Sequence, residues 1–289
     1  MRRQLMTAIG VLCLTSIVWA QGGTVFETRT IKSNILNTDR KYSVYLPAGY
    51  DNSDQSYPVL YLLHGSGDDH TGWVQFGQVK YIADKTIAEG KAGPMIIVMP
   101  DADTGRRGYF NDIKGDFNYE NFFFEELIPH IEKNYRVRSE RRYRAIAGLS
   151  MGGGGTIFYA LHRPDLFAAA APLSASTGSW NMEQLKSRLG NQPGITNSQM
   201  EEYFKRHSIE GMLSSATQED LKKIKSVRWY ISCGDDDFLY EGNALMHITF
   251  RKNEIPHEYR VKDGGHTWTY WRMELPIVLE FVAKSFMQH

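Results

Sequence analysis

A serine hydroxyl becomes a nucleophile only when a base takes its proton and an acid orients that base. The chain contains one Gly-x-Ser-x-Gly, formed by Gly148, Leu149, Ser150, Met151 and Gly152. Residues 143–147 before it are short and largely apolar, the pattern of a buried strand. After it come Gly153 to Gly155 and then residues 156–161, which read as a helix. Strand, Gly-flanked serine and helix together make the setting of a nucleophile elbow, where a strained turn exposes the serine oxygen. The following helix offers free N–H groups that favour negative charge nearby. The bland alternative is a Gly-rich turn with an incidental serine, and the flanks weigh against it.

In α/β-hydrolases the chain order is nucleophile, acid, base. Downstream of Ser150 the outstanding base is His266, in the stretch Asp263-Gly264-Gly265-His266-Thr267-Trp268. It falls between the last expected strand and the last expected helix. His247 and His257 are rivals, but one lies within an expected helix and the other at a strand start. The acid should follow the preceding strand, where Asp235, Asp236 and Asp237 are adjacent candidates that pattern alone does not separate. Three aspartates also raise a metal loop, but Phe238-Leu239-Tyr240 continues without ligands at the required spacing. No metal and no organic cofactor is therefore expected. A tetrahedral intermediate needs N–H donors for its oxyanion. One donor is the amide of Met151, and the other comes from Gly65 or Ser66, with His64 shaping their loop.

These groups need a scaffold that brings distant loops to one edge. Residues 25–31 and 40–46 alternate polar and apolar, so they read as two antiparallel strands joined near Asn37. Buried strands are expected at 58–63, 95–99, 143–147, 167–173, 227–233 and 258–261. Helices are expected at 78–89, 119–134 (with Pro129 as a kink), 156–161, 241–253 and 273–286. Strand and helix alternate after the first pair, which implies a mostly parallel sheet with helices on both faces. In such sheets, sites form at the carboxyl ends of the strands. Residues 174–225 break the alternation with weak amphipathic patterns interrupted at Gly190, Pro193-Gly194 and Gly211. They read as an inserted cap or lid over the strand ends.

Lys plus Arg and Asp plus Glu number 33 each, and no basic run is present, which argues against nucleic acid as a partner. Residues 1–20 read as a secretory signal: Arg2 and Arg3 precede an apolar run too short to span a bilayer, and Val18-Trp19-Ala20 suits a cut before Gln21. The mature chain, residues 21–289, is then exported and has no membrane segment. Cleavage would remove Cys13 and leave Cys233 alone, without a disulfide. Cys233 lies in an apolar run and reads as a buried strand residue.

Together these residues resemble the putative esterase (esterase D-like) family of α/β-hydrolases, nearest to the bacterial feruloyl and acetyl-xylan esterases of carbohydrate esterase family 1. The resemblance is carried by Tyr61-Leu62-Leu63-His64-Gly65, residues 121–135, 143–153 and 233–243, and Gly264-Gly265-His266. It implies the α/β-hydrolase fold and selects Asp237 as the acid and Ser66 as the second oxyanion donor. It also implies an ester-bearing plant polysaccharide or oligosaccharide as substrate, with a feruloyl ester favoured over an acetyl ester of xylan. Gly65, Trp73, Tyr109, Phe110, Trp180 and Trp268 are then candidates for the substrate pocket. Thioester and siderophore esterases are relatives of the same fold. A carbohydrate-binding module on a dead hydrolase fold is the reading outside enzymes, and its mark would be a lost triad residue.

Overall fold

The computed structural model describes residues 22–103, 108–189 and 194–287. The expected signal at 1–20 and the breaks at Gly190 and Pro193 lie outside them. Eight strands form one sheet: β1 (Thr24–Ser33), β2 (Thr38–Leu46), β3 (Val59–Leu63), β4 (Ile96–Pro100), β5 (Arg144–Leu149), β6 (Ala169–Leu173), β7 (Arg228–Gly234) and β8 (His257–Lys262). Their spatial order is β1-β2-β4-β3-β5-β6-β7-β8. β2 runs antiparallel to both β1 and β4, and every pair from β4 to β8 is parallel. This is the α/β-hydrolase arrangement.

The helices are α1 (Gly72–Gln75), α2 (Val79–Ala88), α3 (Tyr119–Asn121), α4 (Ile128–Asn134), α5 (Met151–His162), α6 (Met182–Leu189), α7 (Asn197–His207), α8 (Ile209–Ser215), α9 (Gln218–Lys225), α10 (Tyr240–Lys252) and α11 (Trp268–Met287). Successive strand residues point to opposite faces, so β3 splits its side chains between two cores. Val59, Tyr61 and Leu63 join α4, α5 and α10 on one face. Leu60 and Leu62 join α2 and α11 on the other. The central strands are buried on both sides, which explains their unbroken apolar runs.

Two elements depart from the sequence reading. Helix α5 begins at Met151, directly after the serine, so the glycine run is helical. Between α3 and α4 the chain forms a π-helix, Phe122–Leu127. Pro129 cannot donate and would crowd the carbonyl of Glu125 in a regular α-helix. The wider turn of the π-helix makes room for it near the start of α4. Among the described residues no helix is long and apolar enough to cross a membrane.

Candidate active site

The elbow is built by strain and close packing. Ser150 adopts φ 54, ψ −116, outside the ordinary regions for a side-chain-bearing residue. Its N–H donates to Leu173 O at 3.0 Å, and Ser176 N–H donates to Ser150 O at 2.9 Å, so β6 and its exit fix the turn on two sides. A Cβ on Gly152 would stand 2.6 Å from the main-chain oxygens of His64 and Leu63. Only glycine lets α5 approach the end of β3 this closely.

His266 reaches Ser150 from the loop between β8 and α11, with Nε2 3.0 Å from Oγ. On its other side Nδ1 meets both oxygens of Asp237, at 3.0 and 2.9 Å. A carboxylate only accepts, so Nδ1 carries the hydrogen. In the neutral imidazole Nε2 then offers its lone pair to the Ser150 hydroxyl. The Asp237 side chain is fully buried. Burial opposes its ionisation, but hydrogen bonds from His266 and from the Leu239 amide prevail and hold its pKa below the ordinary carboxylate value. The hydroxyl of Ser174 helps to lower the Asp237 pKa and accepts from Trp271 Nε1 at 3.1 Å. Trp271 in turn sets its ring edge against His266.

Among the three adjacent aspartates, geometry separates what pattern did not. Asp235 Oδ1 accepts from the amides of Gly264 and Asp236, tying the two loops together. Carboxylate oxygens of Asp235, Asp236 and Asp263, all exposed, lie within 4.8 Å of one another. The rival histidines pair with each other, His247 Nδ1 to His257 Nε2 at 2.7 Å. Cys233 is buried, and burial pushes its thiol up to about 12.

The amides of Ser66 and Met151 find no hydrogen-bond partner among the described residues. Met151 opens α5, and Ser66 lies on the exposed turn after β3. Behind that turn His64 is buried. It donates from Nδ1 to Gly65 O and accepts the Ala102 amide at Nε2. Burial lowers its pKa, in keeping with this neutral form. Gly65 is buried, and a Cβ there would meet Leu149 at 2.6 Å.

The aromatic candidates divide. Trp180 is half-buried and lines a cavity of about 360 Å³ with Phe238, Thr177 and Glu241. Trp268 is half-buried between Trp73 and Trp271. Two expectations are corrected. Trp73 is fully buried, with its indole N–H donating to Leu63 O at 3.0 Å. Tyr109 is also fully buried. Its hydroxyl accepts the His64 amide at 2.9 Å and lies 3.2 Å from His64 O, so it braces the turn from behind. Phe110 packs on Phe158 and His207, two turns along α5 from the serine. The apolar interior claims Trp73 and Tyr109, while Phe110 is half-buried.

Phe238 was not singled out in the sequence. It is 71 % exposed, and its ring sits 4.5 Å from that of His266. An apolar residue directly after the acid was the available signal. Of residues 174–225, the leading part comes to the site through Ser176, Thr177 and Trp180. Further along, α7 packs against the far end of α5, where His162 Nε2 donates to Arg206 O.

The family model described as Putative esterase matches residues 33–281. An endo-1,4-beta-xylanase/feruloyl esterase of Xylanibacter ruminicola is 40% identical over 155 residues, covering 50% of this chain and 20% of that protein. The chain thus corresponds to about a fifth of that relative's length. An acetyl esterase of Caldicellulosiruptor saccharolyticus is 24% identical over 81% of this chain and 86% of its own. Among solved structures, a ferulic acid esterase superposes with a TM-score of 0.80 at 36% identity, covering 91% of this chain and 99% of that one.

Proposed function

Because the chain belongs to the Putative esterase family, we propose that it is a serine carboxylic-ester hydrolase of the feruloyl esterase kind. The observation that carries this reading is the alignment of Ser150 Oγ, His266 and buried Asp237 through bonds of 3.0, 3.0 and 2.9 Å. Ser150 attacks the ester carbonyl while His266 Nε2 takes its proton, and Asp237 stabilises the imidazolium that forms. The Ser66 and Met151 amides hold the oxyanion. His266 then protonates the departing alcohol, and water, activated by the same imidazole, releases the acid from Ser150.

The finer reading is a feruloyl ester on plant cell-wall xylan. It is supported by the likeness to the Xylanibacter endo-1,4-beta-xylanase/feruloyl esterase and to the ferulic acid esterase. The cavity is lined by the aromatic rings of Trp180 and Phe238, which suits a flat aryl acyl group. Residues 176–184 serve as the working part of the cap, and export through the segment 1–20 brings the enzyme to a polymer outside the cell. An acetyl ester is the second reading, favoured by the acetyl esterase relative. Hydrolysis of methyl ferulate and of acetylated xylan, compared with Ser150→Ala, tests both. Ferulate release that falls at least about 10⁴-fold in the variant supports the proposal. Acetate release alone moves the assignment to acetyl ester, and neither product from the folded protein overturns the cell-wall reading.

A further inference from the structure

The turn that presents Ser66 also holds a carboxylate that the mechanism does not use. Asp68 N–H donates to Gly65 O at 3.3 Å, closing a four-residue turn. Gly67, at the third position, has φ +84, as a type II turn requires. Ser66 is at the second position, where the amide is not consumed by the turn's own bond. The same turn folds Asp68 back across Gly65. A Cβ on Gly65 would stand 3.4 Å from the Cβ of Ser150 and 3.7 Å from Oδ2 of Asp68. One on Gly72 would stand 3.1 Å from the Asp68 Cβ. Gly65, without a side chain, thus lies between this carboxylate and the nucleophile, and Gly72 leaves room for the Asp68 side chain.

Asp68 is half-buried and makes no side-chain hydrogen bond or ion pair among the described residues. Its neighbours are spent. Asp69 accepts from the amide and hydroxyl of Thr71, both at 2.7 Å. Asp101 pairs with Arg40 at 3.1 Å. Burial, and then the charge of Asp69, push the Asp68 pKa up, as expected for a carboxylate lacking a donor. A half-buried acceptor of this kind is stabilised when a ligand brings O–H donors to it. Beyond it, α1 leads to Phe76, which is 51 % exposed. The Phe76 ring tilts against Trp268 at 5.9 Å, and its carbonyl is held by Arg272 at 2.9 Å. A carboxylate acceptor on the Ser66 turn and an exposed, fixed aromatic ring at the end of the helix that follows it match the two faces of a sugar, its hydroxyls and its C–H surface.

We propose that Asp68 is a specificity-determining residue that accepts hydrogen bonds from hydroxyl groups on the sugar alcohol of the ester. This rests on the ester-hydrolase reading above and assigns the side of the substrate that the Trp180 cavity leaves open. It explains why a protein with ample apolar residues keeps an unpaired acid against Gly65.

The test compares kcat/KM for two esters of one acid, feruloylated arabino-oligosaccharide and methyl ferulate, in wild type, Asp68→Asn and Asp68→Ala. The expected result is a sugar-to-methyl ratio that falls about tenfold or more in Asp68→Ala, through KM, and less in the isosteric Asp68→Asn. Equal losses on both esters would assign Asp68 to holding the turn, and an unchanged ratio would place it outside the site. Either overturns the proposal. If wild type cleaves acetates and not ferulates, the feruloyl reading has failed by itself, and a sugar acetate and ethyl acetate form the pair.

Discussion

Asp237 meets the imidazole of His266 with both of its oxygens, and the bond is closed to solvent at the acid. This fixes the hydrogen on Nδ1 and leaves Nε2 as the acceptor for Ser150. In Asp237→Asn the amide offers a donor to the same nitrogen and favours the other tautomer. The kcat for ester hydrolysis should fall roughly 10³–10⁴-fold, with the melting temperature measured alongside to confirm folding.

The same contact carries a pH signature. The folded-state pKa of Asp237 is depressed, so its contribution to stability is present above the unfolded value of about 3.9 and is lost as pH falls through the folded value. Denaturant titrations of wild type and Asp237→Asn at pH 7 and in steps below pH 4 measure it. The stability gap between the two should shrink as the pH is lowered. A gap independent of pH would contradict the assignment of the bond to an ionised carboxylate.

Tyr109 is a second support, acting on the turn and not on the substrate. Tyr109→Phe keeps the ring contacts with Tyr119 and Tyr159 and removes the hydroxyl that His64 N–H donates to. A buried amide left unpaired costs about 1–3 kcal/mol. Urea unfolding should show a loss of that order. Kinetics should show kcat reduced about tenfold with KM nearly constant, because a looser turn weakens oxyanion binding in the transition state. A changed KM with constant kcat would return Tyr109 to the substrate pocket.

Ser150 and His266 were legible because their chemistry needs fixed chain order and glycine-rich turns, both visible in one dimension. The mostly parallel sheet followed from the alternation of strand and helix patterns. Asp237 was separable from Asp235 and Asp236 only by family resemblance, since three equal side chains on one loop differ in direction, not in type. Trp73 and Tyr109 were misplaced for a related reason. An aromatic residue near a catalytic loop has the same sequence signal whether it lines the cleft or braces it from behind, and burial is decided by tertiary packing. Ser174 gave no signal, because its role depends on Trp271 arriving from α11.

Gly152 tests the packing of the elbow directly. Alanine there would place a methyl carbon 2.6 Å from two main-chain oxygens, which cannot rotate away. Overpacking of this kind costs about 1–3 kcal/mol or more. Gly152→Ala should melt several degrees below wild type, and its residual activity should fall further than stability alone explains, since Ser150 shares the strained turn. Wild-type melting and turnover would show that α5 can retreat from β3.

Phe238 and Trp180 offer the sharpest separation between acyl groups. Phe238 is largely exposed, yet its ring lies against that of His266 and on the wall of the cavity that Trp180 also lines. An aryl acyl group would bury both rings, and each large aromatic contact contributes a few kcal/mol at most. An acetyl group is too small to reach past the histidine to Trp180. In Trp180→Ala the ratio of kcat/KM for methyl ferulate to that for methyl acetate should therefore drop at least about tenfold. Phe238→Ala should lower both rates, because it also strips apolar cover from the imidazole, and the ferulate rate should fall further. A Trp180→Ala enzyme whose ratio is unchanged would mean that the acyl group lies elsewhere, and the exposed ring of Phe238 would then have to be explained by the histidine alone.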